Sequence, residues 1–90
     1  MSWQIDFHKD AAKFLKTNNI LQSDIIEVIK KALKRFQGET VNINIAKLRG
    51  VWSGFYRVRV GNIRVIAEFD FDKRRVYIEN IDWRGRVYKK

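Results

Sequence analysis

The spacing of apolar residues predicts a strand followed by a helix at the start of the chain. Trp3, Ile5 and Phe7 alternate with polar residues, which is the pattern of a strand with one buried face. From about His8 to Thr17 the apolar residues fall at helical spacing, and the asparagine pair that follows suits a turn. A short helix is therefore expected directly after the first strand.

A second, longer helix is predicted to begin at Ser23 or Asp24. Either residue can cap a helix, and Asp24 has Glu27 three residues later, as a capping box requires. Apolar residues at helical spacing follow, and Gly38 stands where a helix terminator is expected. The lysines and arginines of this helix are expected to form a solvated face.

The second half of the chain predicts four further strands. They are Ala46–Leu48, Phe55–Val60, Ile63–Phe69 and Arg75–Ile81. Tight turns at Gly61-Asn62 and around Asp72-Lys73 make consecutive strands antiparallel, and one pair of helices can cover only one face of their sheet. We therefore expect a single α+β domain over residues 1–90. It consists of an N-terminal strand, a two-helix hairpin and an antiparallel β-meander with both helices on one sheet face.

The Gly61-Asn62 turn brings arginines together on the face that the helices leave open. Its register sets Arg59 directly opposite Arg64, and Arg57 lies two residues along the same strand. Like charges that face each other across a sheet destabilise it, so this arrangement favours a bound anion. Salt bridges are the rival explanation, with Glu79 able to reach Arg57 diagonally.

Extending the register through a connection at 71–74 predicts the rest of this face. Glu68 is expected opposite Tyr77, Ile66 opposite Glu79 and Arg64 opposite Ile81, with Trp83, Arg84, Arg86 and Tyr88 just beyond. Guanidinium groups bind phosphates, and aromatic rings stack on unpaired bases for about 1–3 kcal/mol each. The mixture therefore suits single-stranded RNA. Tyr77, Trp83 and Tyr88 are the stacking candidates, although Tyr77 and Trp83 could instead close the edge of a small core.

Composition narrows the possible chemistry. Nineteen Lys and Arg residues against ten acids give a net charge of +9, which favours phosphate-rich or acidic partners. No cysteine is present, and the single histidine, His8, is expected to be a cap or a surface residue rather than a metal ligand. The glycines lack the spacing of a phosphate-binding loop, and no apolar run approaches the length of a membrane span. We expect a cytoplasmic protein without cofactor, metal or membrane contact.

RNA cleavage requires few functional groups beyond those of such a face. The 2′-hydroxyl is a built-in nucleophile, so the protein must orient it, move two protons and stabilise charge on phosphorus. Arginines can stabilise that charge but are poor proton acceptors. Tyr88, Lys47 and Glu79 are the titratable candidates for proton transfer.

Four sequence motifs carry a resemblance to a known family. They are Lys47-Leu48-Arg49-Gly50, the strand from Phe55 to Val60, the segment Ile63-Arg64-Val65-Ile66 and the ending Arg84-Gly85-Arg86-Val87-Tyr88-Lys89. Together they resemble toxins of the RelE/ParE superfamily, close to the RelE-type ribosome-dependent messenger RNA endonucleases. The resemblance implies a toxin of a type II toxin–antitoxin system that cleaves messenger RNA in the ribosomal A site without a metal.

The resemblance also implies roles for individual residues. Arg57 and Arg59 occupy positions where RelE-type enzymes often have lysines that hold the RNA and assist proton removal. Arg64 falls at the arginine that stabilises the scissile phosphate, Arg84 or Arg86 at the arginine of the leaving group, and Tyr88 at the tyrosine that stacks on the substrate base. Lys47, Arg49, Arg86 and Trp83 would add RNA contacts.

The resemblance implies partners and leaves two alternatives open. The expected partners are messenger RNA, the ribosome with its ribosomal RNA, and a RelB-like antitoxin, which either the helical hairpin or the charged sheet face could receive. A ParE-like inhibitor of DNA gyrase shares the scaffold, so the fold alone cannot choose between the two activities. The other alternative is an RNA- or ribosome-binding module that cuts nothing.

Overall fold

The computed structural model describes residues 3–83, which form two helices and five strands. In chain order these are β1 (Gln4–Phe7), α1 (Lys9–Thr17), α2 (Gln22–Phe36), β2 (Asn44–Lys47), β3 (Phe55–Val60), β4 (Ile63–Asp70) and β5 (Arg75–Trp83), with one turn of 3₁₀ helix at Gly50–Trp52 between β2 and β3. The predicted α+β class and order of elements are confirmed.

The two helices begin in different ways. His8 caps α1, because the backbone N–H of Asp10 donates to His8 Nδ1 at 3.0 Å, as its expected capping role requires. The predicted start of α2 is wrong, since the helix begins at Gln22, its N-cap is Leu21, and no side chain caps it. The N–H of Asp24 already donates to the Leu21 carbonyl at 3.1 Å, so Asp24 lies inside the helix and its carboxylate does not cap it.

The end of α2 follows the prediction for Gly38. This residue has φ +93°, and its N–H donates to the Arg35 carbonyl at 3.1 Å. The N–H of Glu39 donates to the Lys34 carbonyl, also at 3.1 Å. These two bonds form a Schellman motif, which favours glycine at the position with positive φ.

The five strands form one sheet in the order β1-β5-β4-β3-β2. Strands β2 to β5 make the predicted antiparallel meander, whereas β1 pairs with β5 in parallel, with Ile5 opposite Val76. The pattern of residues predicted that β1 exists but not where it pairs, because its partner lies at the other end of the chain. Strands β1 and β2 are therefore the two edges of the sheet.

The β3–β4 hairpin has the predicted register. Val60 lies opposite Ile63, Arg59 opposite Arg64 and Val58 opposite Val65. Gly61 has φ +55°, whereas Asn62 does not have a positive φ, and this combination is typical of a type II′ turn. The valines consequently face the helices and the arginines face away from them.

The β4–β5 pairing departs from the prediction through a β-bulge. Glu68 lies opposite Tyr77 as expected, but the register shifts between Ala67, which pairs with Ile78, and Ile66, which pairs with Asn80. Glu79 is the additional residue in β5. The predicted pairs Ile66–Glu79 and Arg64–Ile81 are therefore wrong, and Arg64 lies opposite Asp82 instead.

The bulge exchanges the residues of the last part of β5 that face the core with those that face the open side, so that apolar side chains reach the core. Ile81 is only 3% exposed, and the Trp83 ring contacts the Phe14 ring of α1 with centroids 5.3 Å apart. With the predicted uninterrupted register, Ile81 would face the open side and Asp82 would face the core. Burial of Ile81 and Trp83 explains why β5 contains the additional residue.

The core lies between the two helices and one face of the sheet. Ala11 and Leu15 of α1 and Ile25, Ile29, Ala32 and Leu33 of α2 pack against inward-facing residues of β3, β4 and β5. Phe36 closes one end through ring contacts with Tyr56 and Phe69, with centroids 5.0 and 5.1 Å apart. Within residues 3–83, neither helix has the length and apolar content needed to span a membrane.

The turn geometry predicts the outcome of a substitution at Gly61. A Cβ there would meet no atom within 4 Å, so Gly61→Ala tests backbone conformation alone. An L-residue at positive φ costs about 1–2 kcal/mol, so thermal unfolding should occur several degrees lower than in the parent. Asn62→Ala is the control and should change stability by less than about 0.5 kcal/mol. Equal stability of the two variants would contradict the assigned turn.

Candidate functional site

Three arginines lie on the sheet face that points away from the helices. Arg57 lies opposite Ile66, and Arg59 lies opposite Arg64, so β3 and β4 place the arginines in two adjacent rows. All three are half-buried. We call the surface formed by Arg57, Arg59, Arg64 and Ile66 the arginine face.

Two of these arginines have donors without acceptors. The Nε atoms of Arg57 and Arg64 are both buried and have no hydrogen-bond partner within residues 3–83, where neither arginine forms an ion pair. The salt bridge between Glu79 and Arg57, which was the rival explanation for the arginines, does not form within residues 3–83. A buried donor without a partner costs about 1–3 kcal/mol, so an anion whose oxygens accept from these groups would stabilise the face.

An acidic residue that the sequence analysis did not consider, Asp82, also lies in this region. Because of the bulge, Asp82 is directly opposite Arg64. Its Oδ1 accepts a hydrogen bond from the Trp83 N–H at 2.7 Å, which ties the carboxylate to the backbone. The end of the sheet near the β3–β4 turn therefore has a carboxylate beside its cations.

The bulge also brings Asn80 to the arginine face, opposite Ile66. Ile66 is completely buried although it lies on the face away from the helices, so it forms an apolar floor between Arg57 and Asn80. Sequence reasoning missed Asn80. The available signal was the apolar pattern of β5, which moves from positions 76 and 78 to 81 and 83 and so interrupts strict alternation.

A pair of aromatic residues borders the arginine face and was also missed. Phe55 lies opposite Glu68 on the open side, and its ring meets the Trp52 ring edge-on with centroids 5.6 Å apart. Phe55 is two residues before Arg57 in the same strand, so strict alternation places both on one face. That alternation was the signal for Phe55, whereas Trp52 lies in a 3₁₀ turn that the sequence pattern did not predict.

The opposite end of the open face is acidic and contains Tyr77. A hollow of about 400 Å³ is lined there by Asp6, Glu68, Asp70, Lys73, Arg75 and Tyr77. Burial raises the pKa of Tyr77 above its usual value, and the negative charges of Glu79 and Asp6 raise this pKa further. The Tyr77 hydroxyl therefore stays protonated at neutral pH.

The other predicted site residues are distributed differently. Lys47 is exposed and lies opposite Tyr56, whose ring packs on the helix side. Lys47 is therefore on the helix side of the sheet and not on the arginine face. Arg49 is exposed at the start of the 3₁₀ turn. Trp83 packs on the core side, so the alternative that it closes the edge of the core is confirmed and its position as an RNA-stacking residue beside the arginines is wrong. Arg84, Arg86 and Tyr88 lie outside the described residues.

Ligands for a metal ion do not converge in the part of the chain that the structure describes. Within residues 3–83, no group of three or more histidine, aspartate or glutamate side chains could hold a metal. The groups that the open face offers to a ligand are guanidinium donors, carboxylates, an amide, a protonated phenol and apolar rings. Such a set can bind an anionic chain and move protons.

Solved toxin structures share this fold. The alignment with a chain of the RelE–RelB complex from Pyrococcus horikoshii OT3 has 25% identity, covers 97% of this chain and 100% of that chain, and has a TM-score of 0.61. The alignment with the toxin–antitoxin complex RelBE2 from Mycobacterium tuberculosis has 20% identity, covers 93% of this chain and 100% of that chain, and has a TM-score of 0.59. The alignment with the YoeB–YefM complex from Staphylococcus aureus has 20% identity, covers 92% of this chain and 98% of that chain, and has a TM-score of 0.60. No family model matches the chain, and no curated protein matches it.

These alignments confirm the resemblance found in the sequence: the chain has the fold of RelE-like toxins. The solved structures are complexes of toxins with their antitoxins from type II toxin–antitoxin systems.

The unpartnered arginine donors predict that a tetrahedral anion stabilises the protein. At equal ionic strength, sulfate should raise the Tm more than chloride does. An anion at about ten times its dissociation constant contributes about 1.4 kcal/mol, which corresponds to a Tm increase of several degrees. Arg64→Gln should remove much of this increase, whereas Lys31→Gln, an equal loss of charge on an exposed position of α2, should retain it. An equal sulfate response in both variants would indicate only general exclusion of sulfate from protein surfaces.

Proposed function

We propose that this chain is the toxin of a type II toxin–antitoxin system and that it cleaves messenger RNA in the ribosomal A site without a metal ion. The observation that carries the proposal is the arginine face, where Arg57 and Arg64 have buried donors without acceptors within residues 3–83. The shared fold of RelE-like toxins and the net charge of +9 support the same conclusion.

Arg64 is the residue best placed to stabilise the scissile phosphate. Its strand also contributes the buried Ile66, and the neighbouring strand contributes Arg57 directly opposite Ile66. A phosphate above this floor could accept hydrogen bonds from both guanidinium groups. Because β3 and β4 fix the backbone positions of Arg57 and Arg64 before the substrate arrives, less reorganisation is needed as charge develops on phosphorus.

The same face offers contacts for the bases and the backbone of the RNA. The rings of Trp52 and Phe55 border Arg57, and the exposed Arg49 precedes the 3₁₀ turn that contains Trp52. Unpaired bases stack on aromatic rings, and cations neutralise the phosphates that follow. The proposed roles of Arg84, Arg86 and Tyr88 in leaving-group stabilisation and base stacking come from the resemblance of their motif alone.

Proton removal from the 2′-hydroxyl requires a group other than arginine, and Glu79, at the bulge beside the open face, is the described candidate. Lys47 starts from the other face of the sheet, and Tyr88 lies outside the described residues. The bulge makes Glu79 the additional residue next to Asn80, which lies opposite Ile66. Glu79 is thereby placed one strand away from Ile66 and two strands away from Arg57.

The proposed reaction conserves every proton. The Glu79 carboxylate takes the proton of the 2′-hydroxyl, the 2′-oxygen attacks phosphorus, and the bond from phosphorus to the 5′-oxygen breaks. Water gives a proton to the departing 5′-oxygen, and Glu79 later returns its proton to solvent. The products are a 2′,3′-cyclic phosphate and a 5′-hydroxyl end.

The antitoxin is the proposed partner when the toxin is not on a ribosome. The solved complexes named above each contain an antitoxin together with a toxin of this fold. A strongly basic chain with an open cationic sheet face is suited to an acidic segment of such a protein.

Substitution of Arg64 tests the cleavage proposal. Arg64→Ala should slow the cleavage of ribosome-bound messenger RNA by about 10²–10³-fold, because a preorganised donor to the phosphate is lost. In cells the same change should relieve growth arrest. Mapping of transcript 5′ ends on translating ribosomes measures the effect, with Lys31→Ala as the control at an exposed position of α2.

Different outcomes of this experiment identify the alternative functions. DNA damage with intact transcripts would favour a gyrase inhibitor. Ribosome binding without new 5′ ends would favour a binding module that cuts nothing. Full cleavage by Arg64→Ala in a folded protein would contradict the role given to Arg64.

Substitution of Glu79 tests the proton acceptor. Glu79→Gln should reduce the cleavage rate by about 10²–10⁴-fold and remove the rise in rate that accompanies deprotonation of a carboxyl group as pH increases. The charged and titratable groups on the same face include Asp6, Arg57, Arg59, Arg64, Glu68, Asp70, Arg75, Tyr77 and Asp82. Glu68→Gln is the control, because it removes the same negative charge from the neighbouring strand β4. An unaltered pH profile in Glu79→Gln would exclude Glu79 as the base.

A further inference from the structure

An apolar groove lies on the helix side of the sheet, between the edge strand β1 and helix α2. It has a volume of about 300 Å³ and is lined by Trp3, Ile5, Lys30, Leu33, Lys34 and Gln37. We call it the β1–α2 groove. Ile5 and Leu33 also contribute to the core on this side, so the groove and the arginine face lie on opposite sides of the sheet.

The groove combines an apolar floor with two cationic side chains. Trp3, Ile5 and Leu33 provide an apolar floor, whereas Lys30 and Lys34 stand one helical turn apart along one face of α2. Lys30 contacts Glu27 at 3.4 Å, but both side chains are more than half exposed, so this pair contributes little. An apolar group that enters the groove would be flanked by two ammonium groups.

A buried donor in the groove wall also lacks a partner. The indole Nε1 of Trp3 is shielded from solvent and has no hydrogen-bond acceptor within residues 3–83. The Trp3 ring is held in place by an edge contact with Phe71, with centroids 5.7 Å apart. Buried indole N–H groups normally have an acceptor, and leaving one without a partner is unfavourable.

We propose that the β1–α2 groove anchors an acidic segment of the antitoxin, with one apolar side chain on the floor, carboxylates beside Lys30 and Lys34, and an acceptor for the Trp3 N–H. This inference rests on the antitoxin partnership proposed above. Charge complementarity selects the occupant, because the two lysines favour acidic residues and the apolar floor requires a side chain without charge.

The position of the groove has a consequence for regulation. A segment bound between β1 and α2 contacts neither Arg57 nor Arg64, which lie on the other side of the sheet. The groove therefore serves to capture the toxin, and a different segment of the antitoxin has to cover the arginine face. Capture and inhibition are then separate contributions to one complex.

A pair of charge-reversed variants tests this proposal. The binding partner used is the RelB-like protein that relieves growth arrest when it is co-expressed with the toxin. The two proteins are separated and refolded, and calorimetry measures their affinity. The variant Lys30→Glu/Lys34→Glu should bind at least about tenfold more weakly, because two attractive contacts become repulsive. The control Lys13→Glu/Lys31→Glu changes net charge equally at exposed helix positions outside the groove and should bind as the parent does.

A second variant examines the indole donor. Trp3→Phe keeps an aromatic ring but removes the N–H together with the second ring of the indole, so it should weaken antitoxin binding by about five- to tenfold and also lower the Tm of the free toxin through lost packing. The Tm of every variant identifies loss of folding, which would otherwise imitate loss of binding.

Three results would overturn the proposal. Equal affinities for the groove and control variants would mean that only overall charge matters. A dimer of the free toxin that dissociates in the groove variant would identify a second copy of the chain as the occupant. A parent toxin that does not bind the antitoxin at all would refute the antitoxin partnership itself, whereas normal binding by the groove variant refutes only the groove.

Discussion

Burial of Val58 and Val65 against the helices holds Arg59 and Arg64 side by side on the opposite face of the sheet. A shift of one residue would exchange the two faces of the strand and place arginines in the core. Each buried valine contributes about 1.5–3 kcal/mol, whereas like charges opposite each other cost at most about 1 kcal/mol. Core packing therefore outweighs charge repulsion, and the arginine face is a direct consequence of the hairpin register.

The β-bulge in β5 is the second constraint on the site. Ile78 lies in the core, and the bulge allows Ile81 and Trp83 to lie there as well. Under strict alternation, residues three and five positions after Ile78 would face the open side. The same additional residue brings Asn80 and Asp82 to the open face. Asp82 consequently lies opposite Arg64, so the open face combines guanidinium groups with a carboxylate.

The sequence was sufficient where structure depends on neighbours in the chain. The hairpin register follows from Gly61-Asn62 and the alternation on either side, and the end of α2 follows from Gly38. The parallel pairing of β1 with β5 was not predicted, because nothing local specifies a partner so distant in the chain. The start of α2 was misplaced because backbone hydrogen bonds begin the helix before Asp24 can cap it.

The candidate site was predictable to a similar extent. Arg57, Arg59 and Arg64 come together as the alternation requires, whereas Trp83 packs on the core, which is the alternative that the sequence left open for it and which depends on the bulge. We propose that the arginine face binds the scissile phosphate. Cryo-electron microscopy of the toxin on a ribosome, with a 2′-O-methyl messenger RNA that cannot be cut, would test it most directly. We predict Arg64 nitrogens about 3 Å from oxygens of the A-site phosphate. An arginine face turned away from the messenger would contradict the account.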